Sequence, residues 1–180
     1  HAISTHAVEN EFDYFTVVDD CTAEDNAGAG YLGTVEFNSS TLYRYATVNV
    51  GDLETMLGQK TSEAVRAFAE AFIRSMPTGK QNTFANRTRP DVVYVTIRKD
   101  QPINMAGAFE KPVRAGGEGY VENSIRALAA YAQETYADFA SEPVLALTAG
   151  KGMEKLAEPV SVDALLDTLE DWLKDHEAEQ

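Results

Sequence analysis

One stretch of this 180-residue chain, residues 11–43, constrains the possible folds more than any other. Its first half reads Phe12-Asp13-Tyr14-Phe15-Thr16-Val17-Val18-Asp19-Asp20. This run is apolar on too many sides for an ordinary solvated loop, yet a loop of Gly and acidic residues follows it directly. The pattern predicts a projecting arm that closes over a ligand or over a neighbouring subunit.

The charge of the chain is distributed unevenly. A net charge of −14 argues against nucleic-acid binding if the chain is treated as uniform, because affinity for phosphates comes from Lys and Arg. Residues 61–117, however, hold nine basic and five acidic side chains, and both flanking segments are strongly acidic. This distribution indicates a local anion site in the middle third. The alternative is a solubilising acidic surface on which the cations cluster by chance.

The remaining sequence alternates between strand and helix patterns. Period-two alternation predicts strands at 41–50 and 93–97, after a weaker strand signal in residues 1–8. A short apolar run after Pro143 predicts another strand at 144–147, buried on both faces. Helical spacing predicts helices at 61–76 and 121–140, a short one between Gly51 and Gly58, and a last one with Ser161 as its N-cap. The predicted inner face of the helix at 121–140 consists of Ile125, Leu128, Ala132, Thr135 and Phe139. The predicted buried stripe of the last helix consists of Leu165, Leu166, Leu169, Trp172 and Leu173.

This order of elements predicts an α+β fold. Its centre is a partial RRM-like or ferredoxin-like palm, an antiparallel sheet with helices on one face, and a projecting thumb extends from it. We assign residues 1–43 to the thumb arm and its base, 44–160 to the RRM-like palm, and 161–180 to a C-terminal helix and tail. No run approaches the ~18 apolar residues of a membrane helix and no leader is visible, so we expect a cytoplasmic protein with no membrane partner.

A polar loop at residues 79–89 is the strongest candidate for phosphate binding. It follows a predicted helix, precedes a predicted strand, and carries the cations Lys80, Arg87 and Arg89 beside amide and hydroxyl donors such as Gln81. Lys supplies a point charge, and Arg can pair with a phosphate through two hydrogen bonds. The loop lacks the second glycine of a Walker A motif, and an ordinary solvated loop is the alternative.

Two further groups have both a binding and a structural interpretation. Lys111 and Arg114 form a second basic site, which is also compatible with a plain surface pair. Tyr43, Tyr45 and Tyr94 could stack on bases as in RRM domains, although no strand contains the ribonucleoprotein motif of that family. Packing of these tyrosines under the arm or against a helix is the favoured interpretation.

The compact carboxylate cluster is the one feature that suggests catalysis. Asp19 and Asp20, with Glu24 and Asp25 nearby, could hold Mg²⁺ for a metal-dependent RNase. No histidine lies in the cluster, so a general acid or base is not evident. Solvated carboxylates on the arm are the favoured interpretation, and we therefore predict no catalytic residues, no metal and no cofactor. Cys21, the single cysteine, is expected to be a small buried apolar group.

Six stretches in order together resemble the C-terminal half of the CasC family, the repeating backbone subunit of the type I-E Cascade CRISPR complex. They cover residues 1–6, 13–20, 31–37, 43–46, 79–85 and 108–111, and include Asp13-Tyr14-Phe15-Thr16 and Gly79-Lys80-Gln81. The resemblance spans about the first 120 residues and thins towards the C-terminus. The sequence begins at His1 within an alternating pattern, which is typical of a fragment.

The resemblance implies a non-enzymatic ribonucleoprotein component of antiviral defence. Subunits of this family stack head to tail along CRISPR RNA, and each thumb displaces one guide base and touches the next subunit. The implied partners are CRISPR RNA, other copies of the subunit, other Cascade subunits, and target DNA through guide pairing. The implied RNA-binding residues, together with Arg87 from the polar loop, are Tyr14, Phe15, Thr16, Leu32, Lys80, Gln81 and Arg114. An acidic protein-interaction module remains an alternative.

Overall fold

The computed structural model of the chain describes residues 2–18, 29–79 and 81–177. Four strands and two helices come first: β1 Ala2–Ser4, β2 Glu11–Val18, β3 Ala29–Phe37, β4 Leu42–Arg44, α1 Val50–Leu57 and α2 Thr61–Arg74. They are followed by α3 Gln81–Phe84, β5 Val93–Ile97, α4 Val121–Asp138, β6 Leu145–Ala149 and α5 Val162–Glu177. Two 3-10 helices, Gly58–Lys60 and Met105–Phe109, precede α2 and α4. The predicted α+β class is confirmed.

The described strands form three separate antiparallel pairs, β1–β4, β2–β3 and β5–β6. The strand predicted over 41–50 is wrong in its length, because β4 ends at Arg44. Its partner β1 offers only three paired residues, from Ala2 opposite Arg44 to Ser4 opposite Leu42. Beyond Arg44, no strand of the described residues pairs with the chain to complete a hydrogen-bonded ladder, so alternation alone does not extend the strand.

One part of the hydrophobic core lies between helices α2 and α5 and the β5–β6 pair. Helix α5 begins after Ser161, whose Oγ accepts a hydrogen bond from the Ala164 N–H at 3.2 Å, as predicted for an N-cap. Its leucines are at most 3% exposed and pack against α2 and β6, namely Leu165, Leu166, Leu169 and Leu173. Trp172 packs against the same cluster and is partly buried. None of the described helices has the length and apolarity needed to cross a membrane.

A second cluster joins α4 to the 3-10 helix Met105–Phe109. Leu128 and Ala132 are buried there as predicted, against Met105, Phe109 and Met153. The prediction for Phe139 is wrong, because its side chain is 90% exposed. Helix α4 ends at Asp138, so Phe139 no longer follows the helical spacing that would place it on the inner face.

His6 connects the segment before β2 to the segment after β3, at the base of the arm. The His6 Nε2 accepts a hydrogen bond from the Thr41 N–H at 3.1 Å, and its Nδ1 donates to the Ala7 carbonyl at 2.7 Å. The His6 ring stacks on Tyr120 with ring centroids 3.8 Å apart, and the Thr5 N–H donates to the Thr41 carbonyl. Residues before β2 and after β3 are therefore tied to each other and to the start of α4.

Tyr43 and Tyr94 pack inside the domain, as the favoured interpretation predicted. The Tyr43 hydroxyl accepts a hydrogen bond from the Met105 N–H and donates to Asn104 Oδ1, each at 3.1 Å. The Tyr94 hydroxyl lies 3.1 Å from that of Tyr136 on α4. Burial, followed by the hydrogen bond with Tyr136, raises the pKa of Tyr94. Each hydroxyl has a partner within the fold, and both rings pack against the cluster around Met105 and Phe109.

We expect His6→Ala to lower the free energy of unfolding by about 1–3 kcal/mol, since the Thr41 N–H loses its acceptor. Denaturant unfolding measures this change. Tyr120→Phe is the control, because it keeps the ring stack and the Thr41 hydrogen bond, and should change stability by less than about 0.5 kcal/mol. Equal losses in both variants would contradict the assignment of the effect to the contacts of the His6 ring.

We also expect stability to fall in strong alkali because of Tyr43, whose pKa is raised to about 12 by burial. An unfolded tyrosine ionises near pH ~10, so the unfolded state loses its proton first. The contribution is therefore complete below that pH and is lost as the pH rises towards 12. Tyr43→Phe should reduce the difference in unfolding free energy between about pH 9 and about pH 11, with Tyr94 supplying the remainder. An unchanged pH dependence would contradict this prediction.

Candidate nucleic-acid interface

The arm is the β2–β3 hairpin, and its register divides the candidate residues between two faces. Thr16 pairs with Leu32, Tyr14 with Thr34, and Phe15 with Gly33. Paired residues of antiparallel strands share a face, and side chains alternate along each strand. Tyr14, Thr16 and Leu32 therefore lie on one face of the arm, which we call the Tyr14 face, whereas Phe15 lies on the opposite one, the Phe15 face.

Exposure of large apolar side chains characterises both faces. Tyr14 and Leu32 are 69% and 70% exposed, and Phe15 is 43% exposed. Tyr31 lies on the Phe15 face, with its ring centroid 6.0 Å from that of Phe15. Isolated exposed apolar residues are common on proteins, but such a group on a two-stranded hairpin indicates a binding surface.

Gly33 has a specific role in this arrangement. A Cβ atom at this position would overlap the Phe15 ring and would lie 2.9 Å from Cε1 of Tyr31. The Phe15 ring therefore lies directly over the glycine backbone, where only a residue without a side chain leaves room for it. Such an aromatic ring over a strand glycine keeps the ring in one place on the arm.

The arm itself carries no cation. Residues 1–43 contain no Lys or Arg, and Glu11, Asp13 and Glu36 are exposed on the hairpin. Carboxylates repel phosphates, so the arm cannot grip a nucleic-acid backbone by ion pairing. Its chemistry suits stacking on bases or apolar contact with protein.

The structure separates the basic residues of the middle third into two groups. Arg66 forms ion pairs with Asp167 at 2.9 Å and with Glu170 at 3.0 Å, both on α5. Arg74 pairs with Glu70 and Asp163, and Arg98 with Asp100 at 2.6 Å. The hydrogen bond from Arg98 lowers the pKa of Asp100. These three arginines are already neutralised by carboxylates and serve the fold.

The second group is available to a ligand. Its exposed arginines are Arg87, Arg89 and Arg114, and Lys99 and Lys111 are exposed as well. None of these five side chains forms an ion pair within the described part of the chain. Gln81 begins α3, and its Nε2 donates to the Pro77 carbonyl at 3.2 Å. The exposed positive charge of residues 61–117 therefore lies mainly in the loop after α3 and near Arg114.

Both cationic segments are attached to the base of the arm. Phe84, at the end of α3, contacts Phe37, at the end of β3, with ring centroids 5.0 Å apart. On the other side, the Val113 N–H donates to the Thr5 carbonyl at 2.9 Å, so Arg114 follows a residue that is bonded to the start of the arm. The sequence alone did not reveal either attachment, because each joins residues that are far apart in the chain.

Some candidate residues are not placed. Lys80, Asp19 and Asp20 lie outside the described residues, as do Cys21, Glu24 and Asp25. Among residues 2–18, 29–79 and 81–177, no group of three His, Cys, Asp or Glu residues could hold a metal ion. In the same ranges, no hydrogen bond, ion pair or ring contact joins Arg87 or Arg114 directly to the exposed residues of the arm.

Comparison with known proteins matches this architecture to one family. The family model described as CT1975-like protein matches residues 1–174. A search of curated proteins found no match. A solved chain titled "CRISPR RNA-guided surveillance complex" is 33% identical with a TM-score of 0.87, and the match covers 96% of this chain and 68% of that one.

A second solved chain, titled "CRISPR RNA-guided surveillance complex, pre-nicking", is also 33% identical, with a TM-score of 0.84. The match covers 95% of this chain, which spans about half (53%) of that solved chain. The family match extends over nearly the whole sequence, well beyond the stretches from which the resemblance was first inferred. The chain therefore belongs to the CT1975-like family of CasC CRISPR proteins.

Proposed function

We propose that this protein is a non-enzymatic subunit of a CRISPR surveillance complex that binds guide RNA. The observation that carries the proposal is the pairing of a cation-free aromatic arm with two cationic segments at its base, in which Arg87 and Arg114 are exposed and have no carboxylate partner in the described ranges. The matched solved chains, which belong to RNA-guided surveillance complexes by their titles, support the same assignment.

The two parts of this surface act on different parts of the RNA. Arg87, Arg114 and the undescribed Lys80 bind phosphates, which positions the strand without reading its sequence. The arm, through Tyr14, Phe15, Thr16 and Leu32, inserts apolar surface beside a displaced base and so compensates for the lost stacking. Gln81 contributes a polar contact where the loop meets the backbone.

This mechanism leaves sequence recognition to base pairing between guide and target DNA. Copies of the subunit assemble head to tail along the guide in a Cascade complex of type I-E, beside other Cascade subunits, and serve antiviral defence. Each arm then divides the guide into short accessible segments. We keep the division into a thumb arm and base at 1–43, an RRM-like palm at 44–160 and a C-terminal helix and tail at 161–180 as part of this proposal.

Phe15→Ala tests the arm. In the full-length subunit assembled with guide RNA, loss of one stacking ring should weaken RNA binding by about 5- to 150-fold, the range for one aromatic–base stack. Gly33→Ala should give part of this loss, because the new Cβ displaces the Phe15 ring. Phe139→Ala, which removes an exposed ring at the end of α4, is the control and should leave affinity unchanged. Unaltered affinity in Phe15→Ala would refute the role of the arm.

Arg87→Gln tests the phosphate contact. Because each phosphate contact on a single strand contributes about −0.7 to the slope of log affinity against log salt, this variant should make the slope shallower by about that amount. Arg66→Gln is the matched control, since Arg66 is held by carboxylates and should affect folding stability without changing the slope. Equal slopes in wild type and Arg87→Gln would exclude the contact.

A nuclease would give a different result from a structural subunit. If Asp19 and Asp20 held Mg²⁺ for cleavage, the wild-type protein would cut labelled RNA in the presence of Mg²⁺, and Asp19→Ala would abolish the cleavage. The proposed structural role requires intact RNA in both reactions. Affinity that did not respond to salt would instead favour an acidic protein-interaction module.

A further inference from the structure

The contact between Phe37 and Phe84 is the one ring contact in the described residues that connects the arm to the cationic loop. Both side chains are half-buried, with ring centroids 5.0 Å apart and an interplanar angle of 37°. Tilted rings at this distance are in the favourable range for aromatic pairs. The contact lies at the base of the hairpin, because Phe37 pairs with Glu11 at the first position of β2.

The geometry also defines which face of the arm the loop approaches. Phe37 lies four positions after Gly33 in the same strand, so the two lie on the same face. Gly33 pairs with Phe15, which places Phe37 on the Phe15 face. The loop that carries Arg87 is therefore anchored on the Phe15 face of the arm and not on the Tyr14 face.

The backbone after Phe84 turns sharply. Ala85 has a φ of 50°, in the left-handed region that residues with a side chain rarely adopt. Its N–H donates to the Gln81 carbonyl at 2.9 Å, and its carbonyl accepts from the Arg87 N–H at 2.7 Å. A non-glycine residue persists in this conformation only when the surrounding contacts determine it. The turn at Ala85, directly after Phe84, therefore sets the direction in which the chain leads to Arg87.

We propose that the Phe37–Phe84 contact is a positioning joint, which holds the Arg87 loop against the Phe15 face of the arm so that one stretch of RNA contacts both. Phe84 is then a positioning residue that need not touch RNA itself. The inference rests on the proposed function and adds a coupling between the two parts of the surface. Two contacts on one strand reinforce each other only when their separation is fixed, because the effective concentration of the second contact falls as the link loosens.

The test is a double-mutant cycle of Phe15→Ala and Arg87→Gln in the full-length subunit, measured as affinity for guide RNA. In the wild-type background, the two single losses together should exceed the loss in the double variant, because each single change also removes the mutual reinforcement. In the Phe84→Ala background, overall affinity should fall by about tenfold and the two losses should become additive. A purely structural role of Phe84 would change the affinity without changing this coupling.

Further variants separate the possible failures. Phe37→Ala removes the other ring and should give the same loss of coupling. If thermal unfolding shows that Phe84→Ala is not folded, the double-mutant cycle is measured in the Phe37→Ala background instead. Phe84→Tyr keeps the ring and should restore the wild-type coupling, and Phe139→Ala should leave it unchanged. If wild type binds guide RNA but the coupling persists in folded Phe84→Ala or Phe37→Ala, the joint is wrong and the proposed function stands. If wild type does not bind guide RNA, the proposed function itself fails.

Discussion

The base of the arm is the part of the structure on which the candidate interface depends. A two-stranded hairpin with most of its large side chains exposed has little burial of its own to fix its direction, and an isolated hairpin is marginal in water. Its orientation must come from the contacts at its ends. The His6–Thr41 hydrogen bond closes the arm, the Thr5–Val113 hydrogen bond ties it to the segment before α4, and the Phe37–Phe84 contact ties it to the loop after α3. The first of these contacts joins the two ends of the arm to each other, and the other two join the arm to neighbouring segments of the domain.

The charged residues include some that form ion pairs within the fold and others that are exposed without an ion-pair partner in the described residues. Although the overall charge is −14, some of the carboxylates form ion pairs within the fold. Carboxylates of α5 neutralise Arg66 and Arg74 of α2, which joins two helices whose apolar faces already meet. Exposed ion pairs contribute little stability individually, so their clearer consequence is to remove these cations from competition for an anion. Within the described part of residues 61–117, the cations without carboxylate partners are a small exposed group that includes Arg87 and Arg114, and in the proposed mechanism their location decides where phosphate binds.

Features of the fold and of the candidate interface could be predicted from the sequence when they depend on residues close together in the chain. The buried leucines of α5 and the Ser161 N-cap depend on residues only a few positions apart, and both predictions are confirmed. The strand at 41–50 was predicted too long because strand length depends on a partner, and β1 has only three paired residues. Phe139 was misplaced because α4 ends one residue earlier. The aromatic and cationic residues of the candidate interface could be identified in the sequence. Their division between the two faces of the arm could not, because it depends on the pairing register of β2 and β3. The Phe37–Phe84 contact could not be predicted either, because the two residues are 47 positions apart in the chain.

An arm without cations also has a physical advantage beside a cationic loop. If the arm carried Lys or Arg, phosphates would compete for it, and the strand could lie along the arm in several registers with similar energy. Acidic residues such as Asp13 and Glu36 on the hairpin make those alternatives unfavourable, whereas stacking of a base on an exposed ring requires little charge. In the proposed mechanism, the phosphates have one favourable location, at the base, and the bases have another, along the arm. This separation of the two chemistries would specify the position of an RNA strand without any contact that reads its sequence.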